Sequence, residues 1–198
     1  TTLGQTAPYA AWWAASNRRA IESQRPLWVV LGDSLSQGIG ATAPDRGWVG
    51  RVLDDPTPRL RDAAVVNLSF KGARVLEVLR QQVPTLETLR EQRDVALVTV
   101  VTGNNDLMSP RWVGALADSA QLLLDALPRG TVVARQPGMQ RAATAYNRVL
   151  ARSAHRGVVP ADFRIPHLRD CVGRLAQDRF HPNDRGYAQM AAVARTSL

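Results

Sequence analysis

Short continuous apolar runs alternate with helix-length segments along this chain, and that alternation restricts its fold more than any other feature. Residues 27–31 are apolar throughout and end at Gly32, the pattern of a strand buried on both faces. Similar runs follow at 63–68, 95–102 and 131–135, and the spacing predicts a last strand at 162–165. Helical segments are expected between them at 48–53, at 75–92 with a bend at Pro84, at 111–127 and at 140–154, with a terminal helix from Asn183. Before the first strand, an alanine-rich segment at 8–24 carrying Trp12, Trp13 and Ile21 predicts one more helix, lying outside that strand. Strands joined through helices imply right-handed crossovers and a mainly parallel sheet of about five strands covered on both faces, a three-layer αβα sandwich. The length of 198 residues suits a single domain over 1–198, with 1–24 as an N-terminal helical extension.

Composition removes several classes of function. Apolar residues at 45% and charged residues at 21% supply enough apolar surface for a packed core, which argues against a disordered chain. The longest largely apolar stretch, 95–101, is far shorter than the roughly 20 residues that cross a bilayer as a helix. The net charge of +8 comes almost wholly from arginine, since Lys71 is the only lysine. The arginines are scattered and never form a long basic run, so no nucleic-acid partner is expected; the charge reads as solvated faces, with anionic substrates or surfaces as the alternative. Lone Cys171 cannot form an intramolecular disulfide, and no leader-like segment opens the chain. Together these favour a cytoplasmic setting, while removal of a leader would leave a secreted chain looking the same.

Ligands of parallel sheets bind where the strands end, so the residues after each apolar run carry the functional information. They are Gly32-Asp33-Ser34-Leu35, Ser69-Phe70-Lys71-Gly72, Gly103-Asn104-Asn105-Asp106 and Gln136-Pro137-Gly138. A serine there becomes a nucleophile only with a base to take its proton, a group to orient that base, and donors for the oxyanion. Three histidines compete for the role of base. His155 lies near a predicted helix end, where imidazoles commonly meet terminal carbonyls, and His167 lies in a loop after Pro166 with no acid at useful spacing. His181 stands three residues after Asp178 and just before the terminal helix, so Asp178 can fold back onto one ring nitrogen while the other faces a serine. Asp33 and Asp106 offer no such short loop and are expected to hold their turns through backbone hydrogen bonds. Gly38-Ile39-Gly40 lacks the third glycine of a dinucleotide fingerprint, and the cysteine and histidines are too dispersed for a metal cluster, so no cofactor and no metal are expected.

Gly-Asp-Ser-Leu, Gly-x-Asn-Asp and Asp-x-x-His would occur together by chance in only roughly 3 in 100,000 chains of this composition, which makes the set informative where each motif alone is not. The sequence resembles the SGNH hydrolase superfamily, the GDSL esterases and lipases, over most of its length. The matching blocks are Gly32-Asp33-Ser34-Leu35-Ser36-Gln37-Gly38, Asn67-Leu68-Ser69-Phe70-Lys71-Gly72, Gly103-Asn104-Asn105-Asp106 and 178–181, in the family's order. The resemblance implies a flavodoxin-like fold, Ser34 as nucleophile, His181 as base, Asp178 as its orienting acid, and an oxyanion hole made by the N–H groups of Ser34 and Gly72 with the Asn105 amide. The chemistry of these residue types agrees. A serine opening a helix has a free N–H, glycine lets backbone approach closely, and asparagine donates without ionising.

The expected function is therefore hydrolysis of short-chain acyl esters, because few residues are available to wall a deep pocket. An acyltransferase using the same site and an inactive binding module with this fold are the alternatives. Leu107, Met108 and Trp112 are candidate substrate contacts, with core packing of an amphipathic helix start as the competing role.

Overall fold

The computed structural model describes residues 2, 4–163 and 172–198. Five strands, β1 (Leu27–Gly32), β2 (Ala64–Asn67), β3 (Val95–Val101), β4 (Val132–Ala134) and β5 (Val159–Ala161), form one sheet in the order β2-β1-β3-β4-β5. Every pairing is parallel, so all carboxyl ends lie on one side. The helices are α1 (Thr6–Glu22), α2 (Ser34–Gln37), α3 (Trp48–Asp54), α4 (Val75–Glu77), α5 (Val83–Gln92), α6 (Asn104–Leu107), α7 (Leu116–Ala126), α8 (Arg141–Ser153) and α9 (Asp184–Arg195).

Alternation along β1 divides the core in two. Leu27, Val29 and Leu31 face one layer with Leu86, Leu123, Tyr146 and Leu150 from α5, α7 and α8, whereas Trp28 and Val30 face the other with Trp13, Trp48 and Tyr187 from α1, α3 and α9. Trp48 lies edge-on to both Trp28 and Phe163. The three-layer αβα architecture expected from the sequence is the one observed.

Three details depart from expectation. The last strand ends one residue before the predicted span begins, and Arg164 and Ile165 of that span lie outside the described residues. Pro160 masks this strand in the sequence. Its ladder bonds run from Val159 N–H to Thr131 and from Arg135 N–H to Ala161, so the missing N–H of Pro160 falls on the open edge, where proline is tolerated. The helix expected from residue 111 begins only at Leu116, after a 3₁₀ turn at Val113–Ala115 that contains Gly114. The segment expected to bend at Pro84 instead contains a π-turn at Val78–Gln82 between α4 and α5, with Val83 N–H bonding Val78. Proline cannot accept the regular helical geometry of the preceding turn, and the wider turn relieves that conflict.

The segment at 1–24 does more than cover an outer face. Asn17 of α1 donates to the Asn67 carbonyl and accepts from its N–H, both at 2.8 Å, so a side-chain amide pairs with the free edge of β2. Trp13 Nε1 donates to the Gln37 carbonyl at 3.0 Å, and Tyr9 and Gln5 donate to Ala41. The helix thereby ties down residues 37–41, directly after Ser34.

Candidate active site

Local sequence chemistry places Ser34. Gly32 ends β1 at φ +146°, where a Cβ would lie 2.2 Å from the Val101 carbonyl oxygen, so only glycine lets β1 lie this close to β3 there. Asp33 is the N-cap of α2 and accepts from Leu35 N–H at 3.0 Å. Ser34 is thus the first helical residue, whose N–H has no acceptor within α2.

His181 is placed by the turn leading into α9. Asp178 Oδ1 accepts the N–H groups of Phe180 and His181, each at 3.0 Å, and Oδ2 lies 2.6 Å from the imidazole Nδ1. The other ring nitrogen, Nε2, lies 2.9 Å from Ser34 Oγ. Ser34 and His181 are buried, and Phe180 packs edge-on against the imidazole with ring centroids 4.8 Å apart. Burial acts to raise the Asp178 carboxyl, but hydrogen bonds from the His181 ring and from the Phe180 and His181 N–H groups outweigh it and hold the group below the usual carboxylate range. An ionised carboxylate facing Nδ1 directs the lone pair of Nε2 toward the serine, the arrangement needed to take its proton.

The other two predicted blocks converge on the same place. Asn105 Nδ2 donates to the Ala73 carbonyl at 2.9 Å and approaches Asp33 Oδ2 at 3.3 Å, bridging the neighbour of Gly72 to the neighbour of Ser34. Gly72 needs glycine for its φ of +83°; a Cβ there would meet nothing within 4 Å, so close approach is not the reason. Asp106 Oδ2 accepts from Val75 N–H at 3.1 Å, so it bonds backbone as expected but ties its loop to the start of α4 instead of closing its own turn. His155 contacts the Arg152 carbonyl at the end of α8, also as expected, whereas His167 and Cys171 lie outside the described residues.

The candidate substrate contacts separate. Leu107 packs on the core beside the sheet, Met108 projects into solvent, and Trp112 is held between the guanidinium groups of Arg74 and Arg111, whose central carbons lie 4.4 and 4.7 Å from its ring. Beyond Trp112 an open groove of about 470 Å³ runs between Val113 and Gly114 on one side and Gln140, Arg141, Ala142 and Ala145 on the other. Among the described residues no three His, Cys, Asp or Glu side chains converge as a metal-binding group.

Two residues given no role by the sequence, Gln82 and Asn67, complete the support of Ser34. The π-turn turns Gln82 inward, where its buried carboxamide accepts from Gly32 N–H and donates to the Gly32 carbonyl, both at 2.8 Å. Asn67 donates to the Ser36 carbonyl at 2.8 Å and accepts from Ser69 N–H and Oγ. Together they pin the strand end before Ser34 and the helix that begins with it.

Asp33 has a role beyond its cap. Burial, opposed by the Leu35 N–H and reinforced by Asp106, pushes its carboxyl up to about 7 from 3.8. Below the unfolded value both states hold the proton and the group has no effect on stability. From there to about 7 only the folded state holds it, so stability falls as pH rises, and above about 7 the full cost remains. Asp33→Asn is therefore expected to raise Tm more at pH 8 than at pH 5, with the alkaline gain on the order of a few kcal/mol. Equal changes in Tm at the two pH values would contradict this assignment.

The fold has solved counterparts. A psychrotrophic esterase, EstA from Pseudoalteromonas sp., superposes with a TM-score of 0.66 at 19% identity, over 86% of this chain and 95% of that one. TesA superposes at 0.60 with 25% identity, over 87% and 97%. The salicylyl-acyltransferase SsfX3 of a tetracycline biosynthetic pathway superposes at 0.59 with 19% identity, over 87% of this chain but 54% of that one. No curated protein sequence matches the chain. The sequence itself matches the GDSL-like lipase/acylhydrolase family over residues 30–189, from within β1 to within α9, and the protein belongs to that family of hydrolases.

Proposed function

We propose that the protein is a serine esterase that hydrolyses short-chain acyl esters through an acyl-enzyme on Ser34. The observation that carries this proposal is the unbroken line from Ser34 Oγ through His181 to Asp178, at 2.9 and 2.6 Å. In the first half-reaction His181 Nε2 takes the Ser34 proton as Oγ attacks the acyl carbonyl. The resulting oxyanion is met by the N–H groups of Ser34 and Gly72 and by the Asn105 amide, and His181 then protonates the departing alcohol. In the second, His181 activates water, which attacks the acyl-enzyme and frees the acid. Asp178, held ionised, stabilises the imidazolium at both stages.

The preference for short chains rests on the walls available. Leu107 is drawn into the core and Met108 turns outward, so neither walls a deep pocket, and the groove beyond Trp112 is open. Each methylene fully buried contributes about 0.8 kcal/mol, and an open groove buries one side only. The kcat/KM for p-nitrophenyl esters is expected to level off after about hexanoyl, a limit set by this shallow apolar depth. A steady rise through dodecanoyl, measured below micelle formation, would show instead that the groove takes a long acyl chain. An acyltransferase is the second reading, supported by the shared fold with SsfX3; it predicts that an added alcohol yields a new ester faster than water yields acid.

A further inference from the structure

Because every strand runs the same way, the loops leaving their carboxyl ends share one face, and Ser34 and His181 open onto it. Eight large apolar side chains are exposed among the described residues, and five of them, Met108, Met139, Val172, Leu175 and Phe180, belong to these loops. Met139, Val172 and Met108 are 95%, 82% and 68% exposed, far more than protein packing would leave if these loops served only to cover the core. They sit close to the site in sequence: Met108 three residues after Asn105, Phe180 against the His181 ring, and Met139 three residues after Gln136, whose amide reaches the Thr102 carbonyl.

Exposed arginines outnumber exposed, unpaired acids on the same face. Arg111, Arg141, Arg179 and Arg185 are exposed there and form no ion pair among the described residues. Asp45 is the exposed acid of this face, whereas Asp33 and Asp106 are buried, Glu77 pairs with Arg74, Asp178 holds His181, and Asp184 accepts from Thr42. Several arginines elsewhere are held, with Arg90 on Glu87, Arg156 on Asp125, Arg195 on Asp55, and Arg25, Arg59 and Arg129 on backbone carbonyls.

We propose that this face docks on an anionic lipid–water interface, with Met108, Met139, Val172 and Phe180 entering the headgroup layer and Arg111, Arg141, Arg179 and Arg185 pairing with lipid phosphates. A rigid protein partner needs a continuous complementary surface of about 800 Å² per side. Here the apolar groups are separate tips on three loops, which a fluid layer can close around. Methionine suits such insertion by its flexibility, and arginine suits phosphate by its bidentate fork. The net charge of +8 gives the approach its long-range attraction. Docking would set the mouth of the Ser34 site against the layer that holds acyl esters.

The proposal rests on where the site opens, not on which ester it cleaves, and the test keeps the two apart. Vesicles of diether phosphatidylglycerol and diether phosphatidylcholine in equal parts contain no ester to hydrolyse. The protein is expected to sediment with them, to remain in the supernatant when the vesicles are pure diether phosphatidylcholine, and to be released by salt. Met139→Ser with Val172→Ser should weaken binding at least about tenfold through lost apolar burial. Arg179→Gln with Arg185→Gln should weaken it by about fivefold per arginine and flatten the salt dependence. Neither pair should change the rate on a soluble acetyl ester. Failure to sediment, equal sedimentation with neutral vesicles, or indifference to both pairs would overturn the proposal. Retention on immobilised polyglutamate without vesicle binding would also overturn it and assign the face to an acidic protein.

Discussion

Ser34→Ala is expected to lower kcat by roughly 10⁴–10⁶ while leaving the protein folded, the range seen when a nucleophile of this kind is removed. The side chain is buried and its hydroxyl bonds His181, so the change deletes one oxygen and opens no large cavity. The cost is an imidazole nitrogen that loses its partner, on the order of 1 kcal/mol, or about 2–4 °C in Tm for a chain of this size. A serine-reactive fluorophosphonate should label the parent protein at Ser34 and leave the variant unlabelled. The same test separates an esterase from an inactive member of the fold, since a binding module would be unlabelled in both forms. Hydrolysis of a p-nitrophenyl ester by Ser34→Ala at the parent rate would remove Ser34 from the chemistry altogether.

The layers of the fold were legible because buried parallel strands have no solvent face to disguise them. Leu27, Trp28, Val29, Val30 and Leu31 are all buried, and a run without polar interruption can mean little else at that length. Legibility failed where a backbone constraint was met by an irregular element. Pro160 looks like a reason against a strand and is harmless because its N–H position faces the open edge. Pro84 looks like a bend, whereas the chain inserts a π-turn before it, and this choice depends on what Gln82 can reach across the core.

The same division holds within the site. Ser34, Asp178, His181 and Asn105 were legible because each is a short local pattern whose residue types already state a chemistry. Asn17, Asn67 and Gln82 were not, since an amide that pairs with backbone 31 to 50 residues away leaves no trace in local spacing. The one available signal was an uncharged polar residue at a position where the helical pattern calls for an apolar one, which Gln82 provides. Gly72 shows the converse: the residue type was readable, but the physical reason for it, a positive φ rather than lack of space, was not.

Asn105→Ala is expected to lower kcat by roughly 10²–10³ with a much smaller change in KM, because an oxyanion donor acts on charge that exists only in the transition state. The ground-state bonds of the amide indicate how it would act. One contact, to the Ala73 carbonyl at 2.9 Å, is a normal hydrogen bond, while the other, to Asp33 Oδ2 at 3.3 Å, is long. The loosely held N–H is the one free to turn toward a developing oxyanion, and the Ala73 bond keeps the rest of the amide in place meanwhile. A purely structural role would give a different signature. Loss of the Ala73 contact alone would shift Tm and affect substrate binding and turnover together. Asn105→Asp separates the two further, since it fills the same space but presents carboxylate oxygens to both Asp33 and the oxyanion, and so should be no better than alanine. Affinity for a phosphonate transition-state analogue should fall in step with kcat/KM in both variants, whereas affinity for the carboxylic acid product should change little. If either variant raised KM with kcat unchanged, Asn105 would belong to ground-state binding and the oxyanion hole would have to be rebuilt from the Ser34 and Gly72 N–H groups alone.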